Sequence, residues 1–437
     1  MLETLRNIWK VKDLRNRMAY TIGVLLVVLV GCQLPVPGLD HVAISDYFKN
    51  SLGDSFSLMN SFTGGSFENM SILALNVTPY ITASIIMQLL TIAIPALEEM
   101  HRDGEEGRKK MNTITRYITV ALGILEGLGT SIGFGRGGYM YEYNAFNVAL
   151  MVMILTCGGV FVMWLGECIT EKGIGNGISI ILLINIVSRM PGDFYGLYQK
   201  FVQGKSIGGA VIAAVVIVAV VVVTVVLVCL FNQAERRIPV QYAKKMAGRK
   251  MIGGQSTYIP IKVSTANVIP IIFAASLMEF PSILSNFFSA DDSGTWGKVL
   301  RVLSQSNWCD PNHPVRSIGL IVYLVLIVLF AFFYTSIMFN PIEVANNMKK
   351  SGGFVPGIRP GKPTAEYMNT ILNYVIFIGA IGLCIVAIIP IFFSGVFKAN
   401  VSFGGTSIII VVGVILETIK QIESRMLVRH YKGFLND

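Results

Sequence analysis

An all-α membrane protein with ten transmembrane helices is the fold class this sequence predicts, on three observations. Of the 437 residues, 53% are hydrophobic and 14% charged, against about 45–50% and about 25% in an ordinary soluble protein. The apolar residues gather into ten runs near the length, about 20 residues, that a helix needs to cross the hydrocarbon. The basic residues between runs alternate between dense and sparse segments. Lipid offers no partner to bare backbone groups, so such runs are read as helices. The composition excludes a disordered chain, a coiled coil and a secreted disulfide scaffold, and it argues against a soluble enzyme.

The runs lie at 19–34, 71–94, 114–134, 146–169, 174–190, 207–230, 267–288, 317–339, 370–393 and 403–424. The first follows a basic start, lacks a small-residue cleavage site and is followed by Pro35-Val36-Pro37-Gly38, so it reads as a retained span. The fifth is short, and Pro191-Gly192 is expected to end it. Ten spans put both termini on one side, with 1–18 as a cytosolic amphipathic start and 425–437 as a cytosolic tail. Segments on that side hold 26 of the 35 Lys and Arg residues, and the opposite segments hold 9. The positive-inside rule therefore places both termini in the cytoplasm. The formal charge of +9 reflects topology first, although so basic a face suits an acidic partner or ribosomal RNA.

Chemistry-bearing clusters are few. No CxxC pair exists among the six cysteines, and His41, His101, His313 and His430 are scattered, so no metal site or cofactor is expected. Gly357-Ile358-Arg359-Pro360-Gly361-Lys362-Pro363-Thr364 ends like a nucleotide loop. It fails as one because Pro356 replaces the leading Gly and Pro363 the Ser/Thr that holds magnesium. Glu126 and Glu279 are the only charges deep inside the runs. An ion-coupled secondary transporter using that pair is the alternative reading, since such transporters need ionisable groups at mid-membrane. An intramembrane enzyme lacks its catalytic constellation.

Between the first two runs, Ser55 to Gly65 forms about two turns of mixed polarity closed by paired glycines, too short to cross. It reads as a re-entrant plug or as an external amphipathic turn. Thr78-Pro79-Tyr80 interrupts the second run, and Ile81 and Ile85 after it share a helix face, as do Leu182 and Ile186 in the fifth. Two long loops lie on the cytosolic side. In 231–266, alternating stretches around Arg236, Arg237 and Tyr258 flank Gly253-Gly254 and read as a two-stranded ribbon with a basic tip of Lys244, Lys245, Arg249 and Lys250. Proline in both strands suits ribbons with unpaired outer edges, and a lone ribbon is marginal in water, so a partner surface is expected. The second loop, 340–367, is rich in Gly and Pro and carries Lys349, Lys350, Arg359 and Lys362.

Several phrases, taken together and in order, resemble the SecY family of channel subunits of the bacterial protein-secretion complex. They are Pro79-Tyr80-Ile81-Thr82-Ala83-Ser84-Ile85, Gly104-Glu105-Glu106-Gly107-Arg108-Lys109-Lys110, Gly173-Ile174-Gly175-Asn176-Gly177, Glu235-Arg236-Arg237-Ile238-Pro239, Gly353 to Lys362 and Gly404-Gly405-Thr406-Ser407. The resemblance implies two five-span halves, 19–190 and 207–424, related by inverted pseudo-symmetry as a clamshell and joined by an external hinge at 191–206. It implies a waist of Ile81, Ile85, Leu182, Ile186, Ile272 and Ile410, in which Leu182 replaces the usual isoleucine. The plug becomes about 56–67, with Phe56, Leu58, Met59, Phe62, Gly64, Gly65 and Phe67. A lateral gate between spans 2–3 and 7–8 would carry Thr82, Glu126 (a departure from the expected glutamine) and Asn267. The resemblance also implies a bacterial plasma-membrane location and companion SecE and SecG subunits. On the cytosolic face it implies a SecA motor or ribosome at Arg359 and the 231–266 loop. Signal sequences, nascent polypeptides and membrane lipid are the remaining expected contacts.

Overall fold

Each of the ten apolar runs carries a helix in a computed structural model of the chain. The structure describes residues 11–47, 60, 62–203, 207–242, 245–247, 250–252, 256–263, 269–288, 299, 302–303, 308–309, 317–397 and 405–433. The first half comprises α1 (Lys12–Gly31), a short α2 (His41–Tyr47), α3 (Thr78–Ala93), α4 (Pro95–Arg102), α5 (Gly104–Arg136), α6 (Ala145–Lys172) and α7 (Gly177–Phe201). The second comprises α8 (Ile207–Gln233), α9 (Ile269–Phe288), α10 (Ile318–Met338), α11 (Pro341–Lys350), α12 (Lys362–Phe397) and α13 (Gly405–Gly433). Among the described residues, seven helical stretches are long and apolar enough to cross a membrane, and Thr78–Ala93 and Ile269–Met278 are shorter apolar helices. The chain is a multi-pass membrane protein. Along α8, Val211, Val215, Val218, Val222 and Val226 stand exposed, a face that lipid accepts and water does not.

Local chemistry sets the helix starts. The Asn176 side chain accepts from the amides of Ile178 and Ser179 to open α7, and Asn340 does the same for Ile342 and Glu343 at α11. The structure departs from the hydropathy reading at two places. Residues 71–77 are apolar but form turns, with Met70 and Asn76 at positive φ. Pro79 therefore sits in the first turn of α3, where its missing N–H costs nothing, rather than inside a longer helix. The turn segment is buried, with Ser71, Ala74, Leu75 and Asn76 at 0% exposure, which is the condition for irregular backbone at membrane depth. The second departure is Pro191. The fifth helix does not stop there but continues to Phe201. One proline deletes a single i→i−4 bond while keeping a helical φ, and turns on both sides can carry the helix through.

The halves meet along two seams. On one, α7 packs against α8 and α13; on the other, α9 packs against α5. Within the first half α5 lies against α3 and α6, and within the second α10 lies against α9 and α12. A single apolar cluster runs through both halves and includes Val28, Ile181, Ile271, Ile327 and Ile409.

The two long basic loops, 231–266 and 340–367, fold together. β1 (Glu235–Tyr242) pairs antiparallel with β4 (Ser256–Lys262), and β2 (Lys245–Ala247) with β3 (Lys250–Ile252) forms a small hairpin between them. The ribbon gains a third strand, β5 (Gly353–Phe354), from the second loop, in the order β4-β1-β5. β5 pairs only with Gln241 and Tyr242, leaving the edge at Pro239 free of it, as a residue without an N–H requires. Ile238 and Val240 point inward against Val355, Met348, Met368 and Leu372. This apolar contact with the second loop and α12 supplies what a two-stranded ribbon lacks in water.

Candidate functional site

The six residues expected at the waist come from four helices: Ile81 and Ile85 on α3, Leu182 and Ile186 on α7, Ile272 on α9 and Ile410 on α13. All six belong to the one cluster that spans the halves. Leu182, Ile186 and Ile410 are buried within it, and Ile81, Ile85 and Ile272 pack against it half-buried. Phe62 joins the same cluster at 6% exposure. Six branched aliphatic groups and a phenyl ring offer an ion nothing to coordinate.

The described residues of the expected plug, Asn60 and 62–67, and those that follow to Met70, are held by polar contacts on the other side. Asn185, one helical turn from Leu182 and wholly buried, donates from Nδ2 to the Phe62 carbonyl at 3.0 Å. Arg189, one turn further, donates from Nη1 to Glu68 Oε2 at 3.1 Å. Asn60 Nδ2 donates to the same carboxylate oxygen at 2.8 Å, and the Glu68 amide donates back to Asn60 Oδ1 at 3.3 Å. The Ser66 hydroxyl lies 2.7 Å from the Thr63 carbonyl and 3.1 Å from that of Leu73, tying the segment to the buried turn before α3. Both glycines have left-handed backbone, φ +66° at Gly64 and +83° at Gly65. A Cβ at Gly64 would stand 3.2 Å from Asn185 Cα, and one at Gly65 would stand 2.9 Å from Arg189 Nη1. The pair is thus needed for backbone conformation and for close approach. Phe67 turns away into a second cluster with Val36, Ile44, Met70 and Leu155. A cavity of about 400 Å³ lies alongside, walled by Leu26, Val30, Gly64 and Asn185 among others. Phe56, Leu58 and Met59 lie outside the described residues.

Among the residues expected at the gate, Thr82 is half-buried on α3 and its hydroxyl donates to the Thr78 carbonyl at 3.1 Å. Glu126 is 9% exposed on α5, beside Gly127, which packs against Val152 and Thr156 of α6. Asn267 and the Glu279 side chain lie outside the described residues. On the β4-β1-β5 sheet Arg236 and Arg237 are exposed. Arg237 Nε reaches Glu235 Oε1 at 2.7 Å, and the guanidinium lies 4.7 Å from the centre of the Tyr258 ring. The Glu235 hydrogen bond holds the Arg237 proton more tightly than usual. Arg359 is exposed on the turn after β5, its own carbonyl accepting the Thr364 hydroxyl at 2.8 Å. Lys244, Arg249 and the side chains of Lys245 and Lys250 lie outside the described residues.

Sequence reasoning singled out neither Asn185 nor the Glu68–Arg189 pair. A polar residue between Ile184 and Ile186 in an apolar run was the available signal for the first. The ion pair joins residues 121 apart, and nothing in either neighbourhood announces the other.

This arrangement matches known proteins. The family described as SecY matches residues 71–419. The "Protein translocase subunit SecY" of Streptomyces galbus is 43% identical, with all of this chain and all of that one covered. A solved structure described by its SecY plug domain, said to stabilise the closed state of the translocation channel and maintain a membrane seal, aligns with a TM-score of 0.63 at 16% identity. That alignment covers 94% of this chain and 92% of the other. Sec61 in the canine ribosome-channel complex from the endoplasmic reticulum aligns with a TM-score of 0.64 at 16% identity over the same shares. A family match over residues 71–419 and 43% identity along the whole length of a relative mean that the protein belongs to the SecY family.

Proposed function

We propose that this chain is the protein-conducting channel of a translocase, passing unfolded polypeptides across the membrane and releasing apolar segments sideways into lipid. The observation that supports this reading is that six aliphatic side chains from both halves, and Phe62, lie in or against one apolar cluster that spans the halves. A narrow aliphatic ring expels water, and an ion entering it would lose its hydration shell with nothing in return. The same flexible groups fit around many substrate side chains without binding any of them tightly. A solute transporter needs the opposite, a polar site that recognises one solute, and the apolar character of this cluster disfavours the Glu126/Glu279 alternative.

The closed state is the shut waist with the plug lodged beside it. The α5–α9 seam, between spans 2–3 and 7–8 in the ten-span reading, is the lateral gate, with Thr82, Glu126 and Asn267 near it. An apolar signal helix at that seam exchanges water for lipid at about 25 cal/mol per Å² of apolar surface, and that differential affinity shifts the equilibrium toward opening. The charge asymmetry supports cytoplasmic termini and a bacterial plasma membrane. It also puts the sheet, with exposed Arg236, Arg237 and Arg359, on the cytosolic face as the docking surface for a SecA motor or a ribosome. SecE and SecG are the expected companions, supported by family membership.

The test is crosslinking of a stalled precursor to photoreactive groups at Ile81 and Ile186, with Val218 on the exposed face of α8 as the control. Crosslinks at the first two and none at Val218 are expected; crosslinks at Val218 alone would remove the pore assignment. Arg359→Glu is expected to reduce motor-driven transport by about tenfold or more, since reversing a charge in a docking surface turns attraction into repulsion. Its insertion and its co-purification with companion subunits should stay at the parent level. Normal transport by that variant would remove Arg359 from the docking surface.

A further inference from the structure

We infer that Arg189 is a positioning residue that moors the plug to α7, through its ion pair with Glu68, and so sets how often the idle channel opens. The inference rests on the plug reading above and adds what holds the plug in place. Glu68 and Arg189 meet at 3.1 Å, with side-chain exposures of 17% and 23%. The contact is therefore shielded from most, but not all, solvent screening. Asn60 shares the carboxylate through reciprocal hydrogen bonds, so the start and the end of the described plug segment close on a single anion. Glycine at 65 leaves the guanidinium its room, since a Cβ there would stand 2.9 Å from Nη1. One helical turn along α7, Asn185 holds the Phe62 carbonyl. One face of α7 thus offers Ile186 and Leu182 to the waist cluster and Asn185 and Arg189 to the plug.

The apolar contacts of Phe62 can be remade wherever the ring finds hydrocarbon. The ion pair cannot, because its geometry exists only while 60–68 lies against α7. Departure of the plug separates a carboxylate from a guanidinium that stays on the helix. The pair therefore favours the closed state specifically, and a moderate energy suits a part that must open on demand.

The experiment measures potassium leak from phosphatidylethanolamine/phosphatidylglycerol vesicles holding the whole complex, with no motor or ribosome present. Glu68→Gln and Arg189→Gln are each expected to raise the idle leak about fivefold, the effect of losing one partly buried pair. The double charge swap, Glu68→Arg with Arg189→Glu, is expected to return the leak to near the parent value, which a purely structural role for either residue would not do. A chain lacking 60–68 separates the two levels of the argument. If that deletion leaks while both single variants match the parent, the mooring is refuted and the plug stands. If the deletion does not leak, the plug reading falls and the mooring with it. Single variants that leak without rescue by the swap refute the pairing.

Discussion

The two sides of the plug are held by opposite kinds of force. On one side, Phe62 enters a cluster of apolar side chains, many of them branched aliphatic, where shape and apolarity suffice. Toward α7, the same few residues are held by directional contacts, Asn185 to the Phe62 carbonyl and Arg189 to Glu68, at 3.0 and 3.1 Å. The first kind tolerates exchange of one aliphatic for another, and its free energy follows the area removed from water. The second tolerates almost no exchange, because removing one partner leaves the other unsatisfied. Sealing thus depends on composition, and plug position depends on identity.

Three substitutions break or sharpen that contrast. The largest effect is expected for Ile410→Asn, which puts an amide where exposure is 1%. An unpartnered buried amide costs about 1–3 kcal/mol. Idle conductance should therefore rise by tens-fold, and defective signal sequences should be accepted; parent-like conductance would show that Ile410 does not line the constriction. Asn185→Ala is next. It leaves the buried Phe62 carbonyl without its donor, about 1–3 kcal/mol against the closed plug, read as roughly a tenfold rise in leak with the helix content unchanged. The smallest effect is expected for Leu182→Ile, a swap of equal volume that costs under about 1.5 kcal/mol in a core. Its leak should match the parent, and a large increase would mean that the waist depends on shape as strictly as the moorings do.

Much of the fold was legible because lipid leaves few options. Ten runs without polar relief had to become helices, and each carries one. What hydropathy could not distinguish was apolar helix from apolar turn. Residues 71–77 are as greasy as the helix after them, but Met70 and Asn76 take left-handed backbone and the segment stays irregular inside protein. Pro191 was over-read for a related reason, since a residue that weakens a helix alone need not end one that continues on both sides. The third strand of the small sheet was invisible because Gly353-Phe354 is two residues long and acquires a strand geometry only by pairing with Gln241 and Tyr242. The waist residues were expected from family resemblance alone; aliphatic pairs at i,i+4 are ordinary core in any helix. The contacts of Phe62 and Glu68 with α7 join chain segments more than a hundred residues apart, and no local pattern pairs them.

The unbroken course of α7 through Pro191 limits how the molecule can widen. That helix ends at Phe201 and α8 starts at Ile207, so the tether between the two five-helix blocks reaches at most about 20 Å when fully stretched. On the channel reading proposed above, the edge formed by α7 and α8 is the pivot, and any increase in bore is taken up on the far side, where α5 and α9 touch. A passenger helix leaving for the bilayer has, on that reading, one doorway.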